Sequence, residues 1–199
     1  WIRRWWAWVI AFVMIFLMGI SRIYLGSHFP HDVVGGFVIS ALLLLGCVIW
    51  HRYYGKGFEK RILGQKLLLA ILVPIIYVTI FGIVRLVNGA PDMDVPWAVY
   101  IPAAELAGIE GVATAVGMLL GAGIGLVFEG SRIRFRVDGK IWVRLVRYLV
   151  GIAVTILIWA GLKAVFPANP LWLALILRIL RYFLLALWIT YYAPWVFVK

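Results

Sequence analysis

Ser21-Arg22-Ile23-Tyr24-Leu25-Gly26-Ser27-His28-Phe29-Pro30-His31-Asp32 lies between two apolar runs, each about the length of a membrane span. Apolar runs of that length, joined by so short a polar loop, imply a helical hairpin at one face of a bilayer. About 20 helical residues cross a ~30 Å hydrocarbon layer. The loop gathers a serine, an arginine, two histidines and an aspartate. These types have complementary chemistry. A guanidinium offers a planar fork of donors that suits phosphate oxygens. An imidazole is a nucleophile, and a nearby carboxylate holds the ring and stabilises the cation it becomes.

The rest of the chain extends the membrane reading. Its 199 residues are 65% hydrophobic and only 14% charged, where soluble domains are nearer half and a quarter. Eleven tryptophans, many near the ends of apolar runs, fit an interfacial aromatic belt. A net charge of +11 raises the question of nucleic acid, but the basic residues sit in short segments between spans, as cytoplasmic loops require. No nucleic-acid partner is therefore expected. The single cysteine, Cys47, has no partner for an internal disulfide, and a buried packing role is expected for it. The chain starts at Trp1 without a signal-peptide pattern and reads as a piece of something longer.

Six spans are expected, at 5–22, 32–50, 66–87, 99–128, 141–166 and 171–192. The 51–65 connection is basic and turn-like, with Gly55 and Gly57 favouring a bend. Pro74 falls inside the third span, where neighbouring helices absorb a proline. Pro102 marks the true start of the fourth, and Pro194 the end of the sixth. Basic segments at Arg3-Arg4, 52–66 and 132–147 alternate with segments poor in Lys and Arg. One topology satisfies all three, with both ends cytoplasmic and the 21–32 loop on the opposite side. The expected fold class is an all-α polytopic helix bundle in the cell membrane.

Within the loop, Pro30 suits the first turn of a helix, where its missing N–H costs nothing. An anion there meets free backbone N–H groups and a favourable dipole. His28 and Asp32 share a face if the turn between them is helical.

The spacing Ser21-Arg22, five residues, His28, three residues, Asp32 resembles the third signature motif of the type 2 phosphatidic acid phosphatase (PAP2) superfamily. Tyr24-Leu25-Gly26, Pro30 and Asp32-Val33 strengthen the match. The resemblance implies His28 as the phosphoryl-accepting nucleophile and Asp32 as its orienting carboxylate. It implies phosphate binding by Arg22, with a hydroxyl from Ser21. His31 fills a variable position and inherits no role. No metal and no other cofactor is implied. The family also uses a lysine with an Arg-Pro pair, and a Pro-Ser-Gly-His whose histidine is the general acid. Neither motif occurs in these residues.

The resemblance thus covers residues 1–50 as the last two helices of a phosphatase core, followed by the 51–65 connection and a four-helix membrane extension at 66–199. By this reading the chain is the C-terminal part of a lipid phosphatase acting on a lipid phosphate or diphosphate at the outer face. Alone it is expected to be unable to turn over substrate. The alternative is a non-catalytic membrane subunit that keeps the fold and binds lipid or a partner protein. Expected partners are membrane lipids and a lipid phosphate, with either a homo-oligomer or a chain supplying the N-terminal half.

Charges inside the later spans are costly, about 2.5–3.5 kcal/mol each at mid-bilayer on insertion scales. Arg85 and Lys163, near span ends, are expected to snorkel. Glu110 and Arg178 sit deeper, and their opposite signs predict a buried pair between the fourth and sixth spans. Glu105 and Arg181 also fall in or near apolar runs, and Glu105 with Glu110 leaves a transporter as a third reading. Gly117, Gly121 and Gly125 recur every four residues, a small-residue face expected to pack within the chain.

Overall fold

In hydrocarbon, every backbone N–H and C=O must find a partner inside the protein, so long apolar segments become helices. The computed structural model describes residues 4–26 and 28–198, with the side chains of Lys56 and Glu59 excepted. Arg3 of the N-terminal basic flank and the terminal Lys199 lie outside the described residues. Among those described, six helical segments are long and apolar enough to cross a membrane, and no strand is present. This is a multi-pass membrane protein of all-α class.

The chain divides into two units, Trp1–Lys60 and Arg61–Lys199. The first is a hairpin of α1 (Trp5–Tyr24) and α2 (Pro30–Tyr53), followed by a short α3 (Gly55–Glu59). Leu25 and Gly26 end α1, and Gly26 adopts φ of 66°, a left-handed conformation that costs glycine nothing. The helices meet where α1 is thinnest. A Cβ on Gly19 would lie 2.7 Å from the Phe37 ring and 3.1 Å from Val33. Most other apolar side chains of the hairpin point outward, Cys47 among them, so this thiol is exposed rather than buried.

The turn-like connection expected after the second span is partly helical. Trp50 stacks at a tilt on Tyr54 at 5.3 Å and meets Phe58 edge-on at 6.3 Å. Two aromatic contacts of about 0.5–1.5 kcal/mol each offset the helix cost of Gly55 and Gly57, about 1 kcal/mol apiece.

The second unit contains α4 (Leu63–Asn88), α5 (Ile101–Phe128), α6 (Ile141–Val165), α7 (Leu171–Leu187) and α8 (Ala193–Val198). Pro74 is fully buried inside a continuous α4, and Pro102 falls in the first turn of α5 after a 3-10 turn at Ala98–Tyr100. The last span does not stop before Pro194. A π-helical turn at Trp188–Tyr192 carries the chain from α7 into α8. Proline lacks an N–H, and its ring crowds the carbonyl four residues back. A wider turn just upstream is one way to relieve that crowding.

α5 is the centre of the unit, packed on α7 along one side and α4 along another. Gly117, Gly121 and Gly125 are buried, and their face meets α7 and the turn after it. A Cβ on Gly117 or Gly121 would run into the carbonyl oxygens of Ile179 or Phe183. Gly123, about 200° round the helix axis from Gly121, faces α4, where an added Cβ would lie 2.9 Å from that of Ala70. The expected intramolecular use of the glycine face is what the structure contains. Lipid gives helices no hydrophobic reason to associate, so close backbone packing carries the contact. Gly121→Leu should therefore destabilise the unit by roughly 3 kcal/mol, the upper end for overpacking, because backbone cannot step aside. Unfolding in graded SDS would measure it.

Two ion pairs join α5 to its neighbours. Arg178 on α7 reaches Glu110 at 2.7 Å, as the opposite signs predict, although both side chains are half-buried rather than buried. Arg85 does not snorkel alone; it pairs with Glu105, because the α4–α5 connection brings the end of one helix beside the start of the next. Lys163 lies 5.7 Å from the centre of the Trp159 ring. Removing either Glu110 or Arg178 by a glutamine substitution should cost about 1–3 kcal/mol, with the double replacement milder than the sum. Unfolding of the two single variants and the double variant gives the coupling directly.

Candidate functional site

The α1–α2 hairpin holds a small cleft at one end, with mainly apolar walls and three ionisable side chains from the 21–32 stretch. Ser21 and Arg22 sit in the last turn of α1. Arg22 Nη1 donates to His28 Nε2 at 2.9 Å. An arginine N–H only donates, so this ring nitrogen accepts, and in a neutral imidazole the proton is then on Nδ1. Such a tautomer presents the Nε2 lone pair for chemistry and Nδ1–H for an orienting acceptor.

His28 lies in the loop and not on α2, which begins at Pro30. The helical four-residue relation between His28 and Asp32 is therefore not realised. Asp32 occupies the first turn of α2, where its carboxylate accepts from the Phe29 N–H at 3.0 Å. This is half of a capping box, and it secures the helix start. The other carboxylate oxygen lies 3.3 Å from His31 Nε2. Among the described residues, no hydrogen bond joins His28 to Asp32. His31, which has no role by the motif, is held between Asp32 and the Phe29 ring, stacked at 5.6 Å.

Arg22, His28 and Asp32 nonetheless line one cleft of about 290 Å³, with Gly19, Val33 and Phe37 among its walls. Ser21 is not on that wall; its Oγ donates to the Met18 carbonyl at 2.8 Å inside α1. Gly19 and Phe37 escaped the sequence reading. A glycine three residues before Arg22 in an otherwise bulky run was the available signal, since it lets α2 approach and narrows the cleft. The side chains that carry chemistry are exposed, open to a ligand arriving from water or a membrane surface. Among the described residues, no three His, Cys, Asp or Glu side chains converge as a metal cage. The cleft lining combines the Arg22 guanidinium, the His28 imidazole and the Asp32 carboxylate.

Residues 1–56 match the PAP2 superfamily, and residues 113–199 match the transmembrane extension of PAP2 superfamily phosphatases. Over 54 residues the chain is 44% identical to phosphatidylglycerophosphatase B of Bacillus subtilis (strain 168). That similarity spans 27% of this chain and 23% of the relative. No solved structure matches the chain. A superfamily motif at its expected spacing, two separate family matches on the same chain and six membrane-crossing helices lead to one assignment: this chain belongs to the PAP2 superfamily of membrane proteins.

Proposed function

We propose that the chain is part of a membrane lipid phosphatase that forms a phosphohistidine on His28. The observation that carries the reading is the Arg22–His28 contact, which places a phosphate-binding fork on the nitrogen that would attack. A phosphate entering the cleft takes over the guanidinium donors, and Nε2 is released toward phosphorus. The Nε2–P bond forms as the ester or anhydride P–O bond breaks, and the leaving oxygen is protonated. Water then cleaves the N–P bond and frees inorganic phosphate. Arg22 spreads the charge that builds on the phosphoryl oxygens. Asp32 would serve His28 by turning its carboxylate from His31 to the Nδ1–H, where it holds the tautomer and steadies the imidazolium-like intermediate. Ser21 would contribute only by releasing Met18.

The proton for the leaving group and further phosphate donors come from the lysine, Arg-Pro and Pro-Ser-Gly-His motifs that the family resemblance implies. In this reading they lie in residues upstream of the chain or on another chain. The substrate class is a lipid phosphate or diphosphate. Phosphatidylglycerophosphate is the first to test, since the Bacillus relative bears its name. Incubating the complete protein with a lipid labelled in its phosphate, then quenching in base, should leave label on the His28 peptide. Phosphate release without such label would point to another nucleophile, and no release at all would favour the non-catalytic subunit.

By the distribution of Lys and Arg, the site lies on the non-cytoplasmic face of the cell membrane. With Cys47 replaced by alanine, Leu25→Cys should react with an impermeant thiol reagent applied to intact cells. Reaction only after the cells are opened would reverse the topology.

A further inference from the structure

A second cleft, of about 520 Å³, lies within the Arg61–Lys199 unit beside the 167–170 turn, with walls from α5, α6 and α7. Its ionisable lining is Glu110, Lys163, Arg178 and Arg181. Arg178 and Glu110 neutralise one another at 2.7 Å. Two cations are then left over. Lys163 is exposed near the end of α6 and lines the cleft, on a stem flexible enough to swing its ammonium from Trp159 toward a ligand there.

Arg181 is the unusual one. It is only 8% exposed, and its Nε has no hydrogen-bond partner among the described residues. Its guanidinium lies 4.9 Å from the centre of the Tyr182 ring and interacts with that side chain, which still leaves Nε without an acceptor. Ten residues after Leu171, it stands about 15 Å along α7 from the turn. An ionised group at that depth in a membrane segment normally has a partner or a ligand. Buried polar groups of proteins are nearly always bonded, and an orphan on a side chain that lines a cleft calls for an acceptor, one the side chain can meet by turning toward that cleft.

We propose that this cleft binds a phosphate oxyanion, carried by a phospholipid headgroup or free in solution, through Arg181 and Lys163. The charge pattern selects an anion, since the single carboxylate is already occupied by Arg178. The guanidinium fork suits phosphate oxygens, and the flexible ammonium closes over them. Leu106 and Leu171 line the same cleft and would accept the apolar carbons next to a headgroup. The inference rests on the second unit alone and does not depend on chemistry at His28.

The test uses the full chain in detergent, with lipid retention read by native mass spectrometry and ion binding by thermal stability. Phosphatidylglycerol should be retained about tenfold better than diacylglycerol, which lacks the phosphate, and Arg181→Met or Lys163→Glu should each remove most of that preference. Ser131→Ala, which lines neither cleft, should leave it unchanged. If the lipid shows no preference but inorganic phosphate stabilises the protein in a manner lost in the same two variants, the ligand is the free ion and the site stands. Lys163 is exposed, so Lys163→Glu remains informative even if Arg181→Met fails to fold. Retention and stabilisation that ignore both cations would overturn the proposal.

Discussion

Replacing His28 by alanine in the complete protein should lower phosphate release by roughly 10⁴-fold or more, the scale of losing a covalent nucleophile. The effect is large because His28 is the one imidazole among the described residues that line the cleft. Ser21 is turned away into its own helix, and Asp32 is a carboxylate already engaged with His31 and the Phe29 N–H. The fold should survive. His28 lies in the loop, exposed, and its one described hydrogen bond is to Arg22. The variant should therefore insert and unfold like the parent while forming no base-stable phosphoenzyme. Substantial turnover by the alanine variant would end the phosphohistidine model, whatever the substrate.

Arg22→Lys should be the second most damaging change, costing about 10²–10³-fold in turnover, the range for removing one well-aimed donor from a transition state. Charge is retained, so the loss isolates geometry. The guanidinium is a rigid fork that can present paired donors to phosphate oxygens once it leaves His28 Nε2, whereas an ammonium is a point charge on a flexible stem. In the resting structure Arg22 also fixes the ring through the 2.9 Å contact, so lysine should both weaken phosphate binding and loosen the nucleophile. A KM rise with unchanged kcat would make Arg22 a binding group only. A fall in kcat itself would place it at the transition state. Steady-state kinetics on the lipid found by the labelling experiment separates the two.

Much of this protein is legible along the chain because membrane spans are a one-dimensional signal. The hydrocarbon thickness sets a minimum run length, and backbone polarity forces that run to be helical. All six expected spans overlap helices of the structure, and the boundaries differ most where a π-helical turn carries a helix onward, to Ile133 after α5 and past Pro194 after α7. The motif was legible for a similar reason. Arg22, His28 and Asp32 fall within eleven residues, so a single hairpin turn can bring them to one cleft. The four-residue glycine repeat likewise announced a close contact.

What the linear pattern could not assign was partners. Arg85 read as a lone cation at a span end until the α4–α5 connection set Glu105 against it. The glycine repeat required a neighbour but did not say that α7 was the one. Asp32 was expected beside His28, yet its carboxylate caps α2 and leans on His31, because local hydrogen bonds at a helix start compete for the same oxygens. Arg181 read as one more charge in an apolar run; only packing showed it to be enclosed beside a cleft with an unsatisfied nitrogen. Sequence by itself determined the spans and the spacing of the motif, since both depend on residues close along the chain. Tertiary structure decided which charges are neutralised and which remain to bind a ligand, since that depends on distances between helices far apart in sequence.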